Sequence, residues 1–277
     1  MAAPLRLTRI AILGTSTTSL LTPIVQALAF RDRIQADYYE GIYGAWEQEI
    51  IDQSSGLYRF SPQILFIVNH WRDLNLPAVE DPWVEQQVNH RKELWKRISE
   101  TCGSHVVQHG FDFPAQEPYG YLGNSLPGGR TQMIETLNRR MREEAPPYVS
   151  ILDLDAVSRQ VGTQNWQDAQ SWAMFKQHPA TAALPTLAEH MLAHIRAVIG
   201  LTCKVMVLDL DNTLWKGVIG EDGLDGIEIG LGTPAGEASC IAAILPRSEK
   251  ARILLAVNSK NNLEDAKLPF EKHSHMH

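Results

Sequence analysis

The sequence predicts an α/β protein: a mainly parallel sheet with flanking helices over residues 1–200, followed by a smaller α/β unit over 201–277. Three observations predict it. Short apolar runs alternate with segments of helical periodicity, as in parallel strands joined by crossover helices. The step Gly200-Leu-Thr-Cys203 interrupts the alternation and marks the boundary. A new apolar strand then opens at Lys204 and ends in a pair of acids.

Leu7–Leu13 reads as a strand, followed by a turn and a helix near Leu20–Arg31. Gln63-Ile-Leu-Phe-Ile-Val-Asn69 is a buried-type strand. Val84, Val88, Trp95 and Ile98 recur at helical spacing, and Gly103 stands where that helix stops. His105-Val-Val-Gln108 is a weaker strand. Gly110–Gly129, rich in Pro, Gly and aromatics, is long enough to be a functional loop. Met133, Ile134, Leu137 and Met141 mark another helix, broken by Pro146-Pro147, and Tyr148–Leu154 is a strand. Leu184, Leu187, Met191, Ile195 and Val198 form an amphipathic helix ending at Gly200. In the second unit, Lys204–Leu208 and Arg252–Val257 both read as buried strands, and Gly236–Lys250, containing Pro246, makes a poor helix between them.

The 277 residues are 44% hydrophobic and 21% charged, ample for a core. A net charge of −7 argues against a nucleic-acid or anionic-membrane partner. Cys102, Cys203 and Cys240 are odd in number and widely spaced, so a reduced cytoplasmic location is expected rather than a disulfide framework. Arg6, Arg9 and Ala27-Leu-Ala29 imitate a secretory signal, but Gly14–Ser19 and Pro23 interrupt its apolar core. No stretch reaches membrane-span length, and a soluble protein is expected. His273-Ser-His-Met-His277 reads as a frayed end rather than a metal site.

The chemistry concentrates at Leu208-Asp-Leu-Asp-Asn-Thr-Leu-Trp215. Two acids one residue apart at a strand end can divide labour, one attacking and one moving a proton. Thr213 adds a hydroxyl, and Arg252-Ile-Leu-Leu-Ala-Val-Asn-Ser259 ends a second strand in another. A polar strand end with a capping aspartate would give the same letters. A calcium loop counted from Asp209 fails, since its sixth position is Leu214 and its twelfth Gly220. Ile151-Leu-Asp-Leu-Asp155 repeats the two-acid pattern with Val157 in place of the hydroxyl.

These motifs, with Gly217-Val-Ile-Gly-Glu-Asp-Gly223, resemble the FkbH-like branch of the haloacid dehalogenase (HAD) phosphotransferases. The resemblance implies a partial HAD-like Rossmannoid domain over 201–277. It also implies Asp209 as the nucleophile and Asp211 as general acid/base, both holding Mg²⁺, with Thr213 and Ser259 binding the phosphoryl group. The implied substrate is a small phosphorylated acid, whose glyceryl unit is loaded on an acyl carrier protein in polyketide or related biosynthesis. An anionic phosphate repels a carboxylate unless a cation screens it, which agrees with Mg²⁺. The family's later lysine and acidic metal ligand have no counterpart before His277, so weak Mg²⁺ binding and little phosphatase activity are expected of this chain alone.

In the first unit, Ser16, Asn69 and His178, with Gly44 as a looser match, resemble the SGNH (GDSL-like) hydrolases. This implies an SGNH/flavodoxin-like sheet, a serine nucleophile, a histidine base, and oxyanion donors at Gly44 and Asn69. The family's orienting aspartate, three residues before the histidine, is Phe175 here, and Thr15 stands where Asp is usual. Ser16 could instead cap the following helix, and His178 could be a helix-entry residue. His70, His105, His109, His190 and His194 fit surface or core positions, with an i, i+4 metal pair at His190 and His194 the lesser reading. The tryptophans fit core or pocket walls. Three readings follow: an FkbH-like enzyme, an SGNH-type esterase, and a non-catalytic module that binds a carrier protein.

Overall fold

The alternation of apolar runs and helices becomes a five-stranded sheet in the computed structural model, which describes residues 5–77, 82–114, 120–126, 128–228 and 253–272. In chain order, the first unit contains β1 (Arg6–Gly14), α1 (Leu21–Arg31), β2 (Ile34–Glu40), α2 (Trp46–Ile51), α3 (Gly56–Phe60), β3 (Ile64–Val68) and α4 (Trp83–Cys102). It continues with β4 (His105–His109), α5 (Arg130–Glu144), β5 (Val149–Leu152), α6 (Leu154–Val161), α7 (Thr163–Trp166), α8 (Ala169–Phe175) and α9 (Leu184–Val198). All pairings are parallel and the strand order is β2-β1-β3-β4-β5.

Side chains alternate across the pleat, so one run of residues supplies both faces of the sheet. Ala11, Leu13, Leu65, Ile67 and Val106 meet Ile50, Val88, Trp95, Ile98, Ile134 and Leu137 in one core cluster. On the opposite face α1 packs against α9, whose Leu187, Ala188, Met191, Leu192 and Ile195 are fully buried. Burying each large aliphatic side chain is worth about 1.5–3 kcal/mol, which is why the apolar stripes dictate these helices.

Two sequence expectations change here. Residues 34–40 form a strand the sequence does not announce, because β2 lies at the sheet edge and only Ile34 and Ala36 are buried. β5 stops at Leu152, and Asp153 instead caps α6 by accepting from Ala156 N at 3.1 Å. The second two-acid pattern is therefore a helix start. No helix among the described residues is long and apolar enough to cross a membrane.

The second compact unit spans 201–277. It contains β6 (Val205–Leu208), a helical stretch α10 (Ile219–Gly226) kinked at Gly223, β7 (Leu254–Val257) and α11 (Leu263–Lys272). Leu208, Leu210, Leu214, Trp215, Ile219 and Ile227 form its small core. Both strands were expected to be buried, but β7 is exposed along its length and in β6 only Leu208 is buried. Among the described residues β6 and β7 have no further strand beside them, whereas parallel strands are normally shielded on both faces. The expected poor helix at 236–250, together with Cys240, Arg252 and His273–His277, lies outside the described residues.

Candidate functional site

In the second unit, Leu208 pairs with Val257, and Asn258 N donates to Leu208 O at 2.9 Å. This register brings Asp209 and Ser259 out of the sheet at the same end, the carboxyl end where open α/β sheets place ligands. Asp209 is exposed, and among the described residues its Oδ1 accepts only from the adjacent Leu210 N at 2.9 Å. Asp211 is held from three directions. Its Oδ1 accepts from Trp215 Nε1 (3.0 Å) and Ile219 N (3.2 Å), and its Oδ2 accepts from Asn261 Nδ2 (2.8 Å). Asn212 takes a left-handed conformation (φ 55°), which Asn tolerates better than most residues, and its Oδ1 accepts from Gly217 N. Thr213 is half-buried and closes the turn through its amide to Leu210 O at 3.1 Å. Ser259 Oγ accepts from Asn261 N at 3.3 Å. Asn261, which ties the two loops together, was missed; its signal was a second amide side chain just after Ser259.

The donor set suits Mg²⁺ in kind: two carboxylates at one strand end, all oxygen, with Asp209 open to solvent. Mg²⁺ commonly takes one or two carboxylates and keeps several waters.

In the first unit, β1 ends against β3 so closely that a Cβ on Gly14 would meet Val68 O at 2.1 Å. Thr15 Oγ1 then accepts from His70 N at 2.9 Å and reaches the Asp73 carboxylate. Ser16 follows, 5% exposed. Thr17 binds the loop before His178, its N donating to Lys176 O (3.0 Å) and its Oγ1 to Phe175 O (2.5 Å). The N-cap of α1 is Leu20, so Ser16 does not cap that helix. Among the described residues no hydrogen bond joins Ser16 to His178. Gly44 donates its amide to Gly14 O at 3.1 Å, which withdraws it as an oxyanion donor. Asn69 is buried at the end of β3 with its Oδ1 lacking a partner.

His178 has a carboxylate after all. Asp112, in the loop after β4, places Oδ2 at 3.0 Å from His178 Nε2, although the ring N–H is not aligned for a hydrogen bond. The same Oδ2 accepts from Trp166 Nε1 at 2.8 Å. Burial alone would raise the Asp112 pKa, but the neighbouring His178 and His70 and the Trp166 bond outweigh it and hold the carboxyl below its usual range. Sequence reasoning had no local clue to this pair, which is separated by 66 positions. The available signal was a lone acid, Phe111-Asp-Phe113, at the carboxyl end of a strand.

His70 also belongs to this cluster. It stacks on Trp172 (ring centroids 4.1 Å apart) and meets His178 edge-on at 4.3 Å. Burial, with the nearby His178, pushes its pKa down to about 3. One ligand atom each from His70, Asp112 and His178 lie within 4.8 Å of one another, the arrangement of a two-histidine, one-carboxylate metal site. The hydrogen bonding opposes that reading. His70 Nδ1 accepts from Arg72 N at 3.1 Å, so in the neutral ring the proton sits on Nε2, which then cannot ligate. His190, of the second histidine pair, is bound to Gln160 Oε1 at 2.9 Å.

Beside this cluster opens a pocket of about 500 Å³, lined by Trp71, Arg72, Arg130, Gln167, Trp172 and His178 among others.

The family described as FkbH, N-terminal domain, matches residues 9–196. Among solved structures, the N-terminal part of the protein BF1531 from Bacteroides fragilis, containing a phosphatase domain and complexed with Mg, is similar at 25% identity and a TM-score of 0.82. The match covers 98% of this chain and 74% of that one. Two esterases are more distant. EstA from Pseudoalteromonas sp. is 13% identical (TM-score 0.49, 70% of this chain and 99% of that one). A catalytic mutant of Axe2, an acetylxylan esterase from Geobacillus stearothermophilus, is 14% identical (TM-score 0.44, 70% and 96%). No curated protein matches.

Proposed function

We propose, from the premise that the chain belongs to the family FkbH, N-terminal domain, that its second unit performs HAD-type phosphoryl transfer. The observation that carries this reading is the division between the two aspartates: Asp209 exposed and free to attack, Asp211 immobilised by three donors at the same strand end. The BF1531 fragment, similar over 98% of this chain, contains a phosphatase domain and was complexed with Mg, which supports it.

In this reading an Asp209 oxygen bonds to phosphorus as the ester P–O bond breaks, and Asp211 supplies the proton to the departing oxygen. Water then attacks the aspartyl phosphate, Asp211 takes its proton, and phosphate leaves. Thr213 and Ser259 donate their hydroxyls to phosphoryl oxygens. Mg²⁺, held by Asp209 and Asp211, would screen the charge between carboxylate and phosphate. We assign a small phosphorylated acid as substrate. Its glyceryl-type unit would pass to an acyl carrier protein in polyketide-like biosynthesis, in the cytoplasm, where the free Cys102 and Cys203 would stay reduced.

The test is phosphate release from p-nitrophenyl phosphate and a phosphorylated hydroxy acid, with Mg²⁺ or with EDTA, by the parent and Asp209→Asn. Equal rates in both proteins would sink the proposal. A second reading, ester hydrolysis by the first unit, is favoured by the Asp112–His178 pair. Loss of p-nitrophenyl acetate cleavage in Ser16→Ala, with Asp209→Asn unaffected, would support it.

A further inference from the structure

Among the described residues, cations gather around the pocket of the first unit. Arg72 sits over the rings of Trp71 (4.7 Å) and Trp172 (5.4 Å), and Lys176 Nζ lies 5.3 Å from the same Trp172 ring. Arg130 also lines the pocket. Among the described residues, none of these three cations has a carboxylate within ion-pair distance. The acid in the lining, Asp168, is occupied: it accepts from Ser171 Oγ (2.6 Å), Ser171 N (3.1 Å) and Gln170 N (3.0 Å), capping α8. The lining also includes His178, 8% exposed, with Asp112 Oδ2 3.0 Å from its Nε2. A guanidinium laid over indole faces keeps its N–H edge free for a planar or tetrahedral oxyanion. With Arg72 held in this way and Arg130 in the same lining, the cavity offers a site that an anion would complete.

We infer that this pocket binds a small molecule through an oxyanion group, a carboxylate or a phosphate, gripped by Arg72 and Arg130, with the indoles of Trp71 and Trp172 against the rest of the ligand. About 500 Å³ accommodates a metabolite-sized molecule rather than a bare ion. This site is independent of the aspartate site, and its failure would leave the phosphoryl-transfer reading untouched.

Six of the seven tryptophans (all but Trp215) lie in the first unit, two of them in this wall, so intrinsic fluorescence reads the pocket directly. The full chain is titrated at constant ionic strength, in EDTA, with inorganic phosphate, with succinate and with neutral glycerol. The expected result is a saturable change with phosphate, succinate or both, and none with glycerol. Saturation with one anion alone identifies the group. Arg72→Gln and Arg130→Gln should each weaken binding about tenfold or more, the loss of a charge-assisted hydrogen bond. Arg139→Gln, which removes an exposed partner of Glu143, should not. Circular dichroism and melting of the two glutamine variants confirm that they fold. Absence of saturation with either anion, or saturation unchanged in both pocket variants, overturns the inference.

Discussion

His109→Leu should make the protein more stable at neutral pH and less sensitive to acid. His109 ends β4 fully buried, with neither ring nitrogen hydrogen-bonded. Leaving a buried polar group unpaired costs about 1–3 kcal/mol. An apolar side chain of similar volume removes that cost and introduces a shape mismatch of under about 1.5 kcal/mol, so a net gain of about 1 kcal/mol is expected at pH 7. The acid effect is larger. Burial first, then the nearby His194 and His178, push the His109 pKa down to about 3. Between about pH 6.5 and 3 the unfolded chain therefore binds a proton at this position that the folded chain refuses. Stability then rises with pH across that window, by about 1.4 kcal/mol per unit. Going from pH 7 to 5 crosses about 1.5 units of it, so His109 alone removes about 2 kcal/mol, and His70, also lowered to about 3, a similar amount. Urea unfolding followed by tryptophan fluorescence at both pH values should show the parent losing about 2 kcal/mol more than His109→Leu, a midpoint difference of about 1 M for an m-value of about 2 kcal/mol/M. Equal losses in the two proteins would refute the reasoning.

Asp112→Asn keeps an acceptor for Trp166 Nε1 and should cost under about 1 kcal/mol, whereas Asp112→Ala orphans that buried N–H and should cost about 2–3 kcal/mol. Thermal melts separate the two, and equal melting temperatures would show that the Trp166 bond does not matter. Asn261→Ala removes the 2.8 Å tie to Asp211. At this half-buried position the loss should be about 1 kcal/mol, read as roughly fivefold faster hydrogen exchange across β6 and β7. Gly14→Ala drives a methyl into Val68 O and should destabilise by at least about 1–3 kcal/mol in the same melts; a silent substitution would mean β1 and β3 separate easily.

Where burial decides, the sequence was readable. β3, buried at all five positions, and the stripe Val84, Val88, Trp95, Ile98 of α4 announce themselves because one period of apolar residues can serve only one element. β2 escaped since an edge strand needs few apolar residues, and Ile34-Gln-Ala-Asp-Tyr-Tyr-Glu40 shows only two that are buried. The same apolar letters misled in the second unit, where, among the described residues, little covers β6 and β7. Local motifs located Asp209, Asp211 and Ser259, which adjacent strand ends bring together. Nothing local could pair Asp112 with His178, because the fold brings them together across 66 residues. His70 was set aside as an ordinary core or surface histidine, and its contacts with Trp172 and His178 place it in the cluster.

The exposure of β6 and β7 has a consequence for how the molecule behaves in company. Val207, Leu254 and Val257 are each at least half exposed, and among the described residues neither strand has a hydrogen-bonded neighbour on its outer side. Such a surface invites sticking between copies. The seven surplus negative charges keep molecules apart only over a Debye length of about 10 Å at 0.1 M salt. Clumping should therefore set in as salt is added, through the very strands that present Asp209 and Ser259.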